Sequence, residues 1–533
     1  MEEKEVKKFQ FEWGAEIKPS YKPEDISGIG YERDVGDPGE YPYVRGSHPL
    51  MYRSRPLLHR VYSGFLSGED TSARLKYLTE QGLRGLSLAL DLPTQLGLDS
   101  DDPQAEDEVG RVGVAVDTLQ DMEDILKGVD LGKVSTNITI NALAPILLSM
   151  YVATAEKQGV SRDQISCVVQ NDILKEYVVR GAWIFPPAPS LKMTVDVIEY
   201  CAKELPKCNP VSVACGHMRA SGANTAQEIA WGFEIALTYL KAALDRGLDI
   251  DQVAPFITFT SHNKLNFFED AAKYRAARRI WSRIMKERFG AKSPRSLILR
   301  LFSGGGMEEL TIQEPLNNII REVLIALGAI LGGAQAMGLC CYDEAYTIPS
   351  PEAQLIQLRT GQILTEEAGL VDVADPLGGA YYVEWLTSEL EKAITQIMED
   401  IEGSDGMVKA IEEGQIQRAC AQGAYRRQQR LDSGEQVWVG ANKYVSKGQE
   451  WDVKLHEYDP LIREKQIEKL NRIKKERDNA KVEKCLQELK QAAESGINIV
   501  PCTLEAVKAY ATIGEMTGVL REVFREFKEP AIV

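Results

Sequence analysis

"PVSVACGHMRASGANTAQEIAWGFEIALTYLKAALDRG", residues 210–247, holds a short apolar run and then a long helix-like segment. The run 210–215 stops abruptly at Gly216-His217, and its length suits a buried strand better than a helix. The segment from Thr225 carries apolar residues at helical spacing over more than five turns. One strand followed by one helix is therefore the unit, and the question is how often it recurs.

It recurs along the middle of the chain. Comparable apolar runs are "GLSLALD" (85–91), "STNITINA" (135–142), "ISCVVQND" (165–172), "FITFTSHN" (256–263) and "SLILRLFS" (296–303). Helix-like stretches such as "LAPILLSMYVATAEKQG" lie between them. Strands alternating with helices imply a parallel sheet covered on both faces. With "AQAMGLC" (334–340) and a final unit expected near "VADPLGGAYYVEW" (373–385), the count approaches eight. The expected fold is α/β, a (β/α)8 barrel; an open doubly wound sheet is the alternative. Residues 1–60, rich in Gly and Pro turn signals at 36–49, read as an extended arm. The barrel is expected over 61–430, and a linker with a helical C-terminal region over 431–533. Within that region, 440–460 reads as a linker or short hairpin.

The ends of the runs locate the chemistry. They finish in Asp91, Asn141, Gln170-Asn171-Asp172, His217, Ser261-His262 and Ser303. In a barrel, C-terminal strand ends and the loops after them build the active site. Helix capping accounts equally well for Asp, Asn and Ser at such places, but not for Gln170 or His217.

Bulk composition narrows the classes. The 533 residues carry a net charge of −17, which disfavours nucleic-acid or membrane-surface binding. Against that background "MYRSRPLLHR" (51–60) stands out, with Arg53, Arg55 and Arg60 and no acid. It reads either as a solvated turn or as a phosphate clamp. Nine scattered cysteines without a C-x-x-C pair fit reduced thiols, not a metal site or disulfide framework. No apolar run approaches the ~20 residues that span a bilayer, and "MEEKEVKKFQFEW" lacks the apolar middle of a secretory signal, so a cytoplasmic protein is expected.

Many ordered blocks resemble one family. "MYRSRP", "YSGF", "GLSLALDLPTQLGLDSD", "EVGRVGVAVDTLQDM", "QNDILKEYVVRGAWIFPP", "EPLNNIIR", "YDEAYTIPSPEA", "DPLGGAYYVE" and "AYATIGEMTGVLREVF" are similar to the large, catalytic subunit of adenosylcobalamin-dependent methylmalonyl-CoA mutases. The resemblance runs from about residue 30 to the C-terminus. It implies an isomerase that shifts a carbonyl-CoA group between neighbouring carbons by a radical route, of the (R)-methylmalonyl-CoA to succinyl-CoA type, in a barrel that shields radicals from water. The family's cobalamin-binding D-x-H-x-x-G is absent: none of His48, His59, His217, His262 and His456 sits in it. The chain therefore resembles the catalytic half of a split enzyme. The resemblance implies a hetero-oligomer with a small cobalamin-binding subunit, and a G-protein chaperone. The alternatives are a mutase for a bulkier carboxylated acyl-CoA (ethylmalonyl-, alkylmalonyl- or alkylsuccinyl-CoA) and, in another class, a non-catalytic acyl-CoA-binding assembly partner.

The same resemblance assigns residues. His217 matches the histidine that hydrogen-bonds the migrating thioester carbonyl. Arg180 matches the arginine that pairs with a free acyl carboxylate, and Tyr62 the tyrosine beside the reacting carbons. Gln170, Ser87, Thr139, Thr258 and Gln335 match substrate-pocket positions. Met51, Arg55 and Arg60 match the arm that grips CoA. Glu344 matches the glutamate holding the adenosyl ribose, and Phe302 and Gly304 stand on the loop that faces the corrin, where the family has His and Gln. Further departures are Gly216, where the family has Tyr, and Leu50, Asn137, Val168 and Phe256. The loss of a Tyr side chain at 216, together with Leu50, predicts a larger or more apolar pocket, the motive for the bulkier-substrate alternative.

Overall fold

Each apolar run before 334 becomes a strand of one parallel sheet, and so does "AQAMGLC". The computed structural model describes residues 9–446 and 455–529. Its eight central strands are β1 (Leu58–Ser63), β2 (Gly85–Leu88), β3 (Ser135–Ile138), β4 (Cys167–Val169), β5 (Val211–Val213), β6 (Ile257–His262), β7 (Arg300–Gly304) and β8 (Ala336–Gly338). They lie in the order β4-β3-β2-β1-β8-β7-β6-β5. The remaining seam is bridged between Val168 and Asn209, where Val169 N–H donates to Asn209 O at 2.9 Å, and Ser212 N–H donates to Gln170 O at 2.9 Å. The sheet is thus a nearly closed (β/α)8 barrel.

The eighth strand is not where the sequence placed it. Leu58–Ser63, straddling the expected boundary at 60/61, is the first strand, while 373–385 forms a turn and the start of the helix Tyr381–Gly403. Two forces hold that turn. Asp375 pairs with Arg45 at 3.1 Å and with buried Arg275, and Gly379 N–H donates to Glu384 at 2.9 Å.

Helices cover the barrel where caps start them. Ser67 and Asp70 form a capping box for Gly68–Glu80, and Asn224 and Gln227 form one for Thr225–Asp245. The arm lies over the helix Phe267–Arg283. Arg278 donates to the carbonyls of Tyr43 and Val44 at 2.9 and 2.7 Å, and Arg279 to that of Asp34 at 2.7 Å. Four C-terminal helices, Ile462–Glu476, Asn479–Ser495, Val500–Lys508 and Ile513–Phe524, pack on the barrel's outer layer. Of the stretch expected as linker or hairpin, 447–454 lie outside the described residues; Val439 and Lys443 form a small bridge before it. No helix among the described residues is long and apolar enough to cross a membrane.

Burial along the strands is the reverse of an ordinary packed barrel. Side chains alternate between the two faces of a strand. The outward set packs under the helices and is sealed: Val61, Ile138, Val169, Val213, Phe259 and Met337 are all buried. The alternating inward set includes Ser87, Asn137, Ser212, Thr258, Thr260 and Ala336, small or polar residues, several of which keep partial access to solvent. Barrel interiors are usually filled by layers of bulky branched residues. Here short polar side chains on β2, β3, β5 and β6 face the axis and hydrogen-bond to each other, Asn137 to Ser87 at 2.9 Å and Ser212 to Thr260 at 3.0 Å, with Val168 and Phe302 also facing in.

Candidate functional site

The axis has two chemically different ends. At the strand starts lies positive charge without acid. Arg60 is buried and donates to Leu86 O at 2.6 Å, and Arg300 donates to Asn209 at 2.6 Å. Burial lowers both guanidiniums to about 10, with Arg295 and Arg55 adding repulsion at Arg300. Among the described residues none of Arg55, Arg60, Arg295 and Arg300 pairs with a carboxylate; exposed Arg55 contacts His48 Nε2 at 2.8 Å. Arg295 lies over the Phe256 ring at 5.5 Å. Met51 is buried in the arm beside Gly46, and Gln335 ties the arm to β7 through Ser47 at 2.6 Å and Leu301 N–H at 2.7 Å. Leu50 points outward, 58% exposed.

At the strand ends lies a polar cluster. Tyr62 from β1 is 54% exposed, and its hydroxyl meets Thr139 at 3.1 Å. Gln170, after β4, accepts from Asn141 at 3.0 Å and from Lys175 at 3.3 Å. Arg180 ends a π-helical turn, Glu176–Arg180, closed by Gly181 at φ +81°. Such turns are frequent at functional sites because the extra residue re-aims side chains. Arg180 donates to Glu176 at 3.0 Å and to Gln95, which leaves three of its five N–H groups for a ligand.

Glu176 is the hub that sequence reading missed. Its carboxylate accepts from Lys175 at 2.5 Å, from Arg180, from Asn141, and from Ala182 N–H at 3.0 Å. Burial alone pushes its pKa up, yet the Lys175 and Arg180 charges bring it below the ordinary glutamate value, so it stays ionised. The adjacent acid and base in "ILKEY" were the available signal, but nothing in a linear string says both are buried. Asp91 and Asp172 belong to the frame. Asp91 caps the helix Leu92–Leu96, and Asp172 accepts from Ala214 N–H at 2.7 Å and Tyr239 at 2.8 Å, fixing the end of β5.

His217 follows β5 at that end. Its Nδ1 is buried without a partner, while Nε2 is not among the buried unpartnered atoms. Burial, then the charges of Lys175, His262 and Arg180, hold its pKa well below the ordinary imidazole value, so the ring is neutral at pH 7. A buried acceptor without a partner is tolerated better than a buried N–H. The favoured tautomer therefore leaves Nδ1 bare and carries the proton on Nε2, a hydrogen-bond donor.

Beyond β7 and β8 a group of carboxylates is short of donors. Glu344 accepts from Cys341 N–H at 2.7 Å and Glu322 from Cys340 N–H at 3.0 Å, while Glu322 Oε1 and Glu308 Oε1 are buried without partners. Burial pushes both Glu322 and Glu344 up. These acceptors fit a ligand that brings hydroxyl donors, as a ribose does. Phe302 and Gly304 sit inward on β7, and the glycines after it press on neighbouring backbone: a Cβ at Gly305 falls 2.6 Å from Cys340 N. A surface groove of about 910 Å³ between the arm and the outer helices is lined by Arg279, Arg283, Asp34 and Glu391, which are already ion-paired, and lies outside the helical ring.

The structure thus brings together Tyr62, Thr139, Gln170, Arg180 and His217 at one end of the axis, and Arg55 and Arg60 at the other, with Ser87 and Thr258 along it. Glu344, Phe302 and Gly304 flank the first end from β7 and β8.

Comparison with known proteins follows that geometry. A family model described as methylmalonyl-CoA mutase matches residues 10–526. The 2-hydroxyisobutanoyl-CoA mutase large subunit of Aquincola tertiaricarbonis is 42% identical over 517 residues, covering 97% of this chain and 92% of that protein. The methylmalonyl-CoA mutase of Rhizobium meliloti (strain 1021) is 40% identical over 516 residues, 96% of this chain and 72% of that protein. The mitochondrial methylmalonyl-CoA mutase of Homo sapiens is 39% identical over 516 residues, 97% and 68% respectively.

Proposed function

The chain belongs to the methylmalonyl-CoA mutase family, cobalamin-dependent isomerases of acyl-CoA, and on that premise we propose how its own residues divide the work. The observation that carries the reading is the axis lined by small and polar residues, partly accessible at Asn137, Thr260 and Ala336, that joins arginines without carboxylate partners to the His217 end. A CoA thioester has the matching asymmetry: phosphates at one end, a reactive acyl group at the other. Arg55, Arg60 and Arg300 take the phosphates, where guanidinium forks suit the oxygens. The pantetheine arm runs past Ser87, Ser212 and Thr258, and the thioester stops at the strand ends.

There His217 donates Nε2–H to the thioester carbonyl, stabilising charge or spin that develops on that oxygen as the group moves. Arg180 pairs with a carboxylate on the acyl group, held by Glu176 and Gln95 so that its free N–H groups face the ligand. Tyr62, anchored by Thr139, walls the reacting carbons, and Gln170 contacts the acyl group. Glu344 would accept from the ribose of adenosylcobalamin, with Phe302 and Gly304 toward its corrin; when bound, that cofactor would supply radical chemistry. The relative named as a large subunit supports a separate small cobalamin-binding subunit for this chain. The substrate we favour is a carboxylated acyl-CoA of the methylmalonyl or succinyl type. The roomier-pocket motive for a bulkier one weakens, because Leu50 faces outward and the space beside Gly216 holds the ring of His262.

The test is reconstitution with a cobalamin-binding small subunit and adenosylcobalamin, followed by chromatography of CoA esters across methylmalonyl, ethylmalonyl and succinyl substrates. Interconversion of methylmalonyl- and succinyl-CoA supports the reading. Faster turnover of every larger acyl group, or turnover of none, counts against it.

A further inference from the structure

His262 is the last residue of β6, and the proposed function gives it no task. Its ring is wedged between two glycines on neighbouring elements. A Cβ at Gly216 falls 2.1 Å from His262 Cδ2 and 2.4 Å from Cγ; one at Gly304 falls 2.8 Å from Cδ2 and 3.1 Å from Nε2. Real Cβ contacts are not that short, so the imidazole occupies its place only because both positions lack a side chain.

The backbone beneath the ring is clamped. Glu228 accepts from His262 N–H at 2.9 Å, and Lys273 donates to His262 O at 2.7 Å. Glu228 and Lys273 are themselves fully buried and paired at 3.1 Å. Asn263, next along, is tied to Ile325 O at 3.0 Å. This is a pre-positioned side chain, not a loop residue that happens to point inward.

Its polar atoms are left wanting. The ring meets His217 edge-on, centroids 6.0 Å apart at 76°. Glu308 Oε2 is 3.9 Å from His262 Nδ1, beyond hydrogen-bond reach. His217 Nδ1, His262 Nδ1 and Glu308 Oε1 are all buried without a partner. Native interiors rarely leave such groups unsatisfied; His262 Nε2, which is not among them, is the nitrogen that can donate to a ligand oxygen.

We propose that His262 determines acyl-group selectivity in this chain: locked by Gly216 and Gly304, it replaces open space with an imidazole whose nitrogens favour acyl groups carrying a carboxylate or hydroxyl oxygen over plain alkyl ones. The inference rests on the acyl-CoA mutase reading of the site and deepens it. Sterically, Gly216 does not enlarge the pocket; chemically, the wall beside His217 is polar.

The test titrates the full chain by calorimetry with succinyl-CoA, 3-hydroxybutyryl-CoA and butyryl-CoA. In His262→Leu the preference for the oxygen-bearing thioesters over butyryl-CoA should fall about tenfold, the value of one hydrogen bond, while His262→Gln keeps most of it. Whichever oxygen-bearing ligand loses more identifies the oxygen recognised. An unchanged preference in His262→Leu, or equal loss for all three ligands, overturns the selectivity role. The steric lock has its own arm: Gly216→Ala should weaken all three ligands, and Gly216→Ala/His262→Ala should restore butyryl-CoA binding, with circular dichroism and melting temperature confirming the fold. Normal binding by Gly216→Ala alone overturns the lock. Wild-type binding of no thioester sinks the acyl-CoA reading itself, a result distinct from a binding protein whose preference ignores His262.

Discussion

Glu176→Gln tests how the acyl-binding arginine is held. The side chains of Glu176 and Lys175 are both fully buried and 2.5 Å apart. Glutamine keeps the shape but removes the charge, and its amide N–H₂ must face either the Lys175, Arg180 and Asn141 donors or Ala182 N–H. Lys175 is then a buried ammonium with Asp172 as its remaining acid nearby. Breaking a buried pair on one side costs about 3–5 kcal/mol, a large share of the ~5–15 kcal/mol typical of a folded domain. Urea denaturation should show that loss as an earlier midpoint. Lys175→Met/Glu176→Gln removes both charges, so no unpaired ammonium is left buried, the main cost of breaking such a pair on one side. The double variant should therefore recover most of the stability. It should not recover the site: Arg180 has lost an anchor in both variants, and the preference for succinyl-CoA over butyryl-CoA should stay down by about tenfold, the range of a charge-assisted hydrogen bond. A single variant that loses under ~1 kcal/mol, or a double variant no more stable than the single, refutes the coupled-hub argument.

Three further outcomes follow from the same geometry. Arg180→Ala should raise KM for a carboxylated acyl-CoA by roughly 10²-fold and spare a neutral one, since a charge-assisted bidentate pair is lost; equal losses on both contradict the assigned pairing. His217→Ala should lower kcat by roughly 10²–10³ with little change in KM, as for one oxyanion donor; a near-normal rate makes the residue structural. His217 is also a pH probe. Its folded pKa lies well below 6.5, first through burial and then through Lys175, His262 and Arg180. The unfolded chain therefore takes up a proton that the folded one resists, and the contribution of this ring is fully present above 6.5 and is lost as pH falls below it. Melting temperature should drop more steeply between pH 7.5 and 5.5 in the wild type than in His217→Asn, and equal slopes go against the neutral ring.

Much of the barrel was legible because the outward residues of the strands are apolar, and six such short runs were bounded by helix-like stretches. Leu58–Ser63 escaped because "LHRVYS" carries Arg60 and Tyr62 on its axis-facing side, where an ordinary barrel has Val or Leu. "VADPLGGAYYVEW" misled because its apolar residues serve a turn held by Asp375, Arg45 and Arg275, charges from three distant segments. Strand-end position alone flagged His217, Gln170 and His262, and the same rule swept in Asp91 and Asp172, which hold the frame. The fit of His262 between Gly216 and Gly304 needed coordinates, because the three residues come from three elements. Glu176 likewise shows its role only once Lys175, Arg180 and Asn141 are seen to converge on one buried carboxylate.

A crystal structure of the chain with a non-hydrolysable CoA thioether bound traces the path of the ligand through the barrel. The phosphates should lie at Arg55, Arg60 and Arg300, the pantetheine along the axis past Ser87, Ser212 and Thr258, and the carbonyl within hydrogen-bond reach of His217 Nε2. A thioether bound outside the helical ring, or threaded with its acyl end at the arginines, contradicts it.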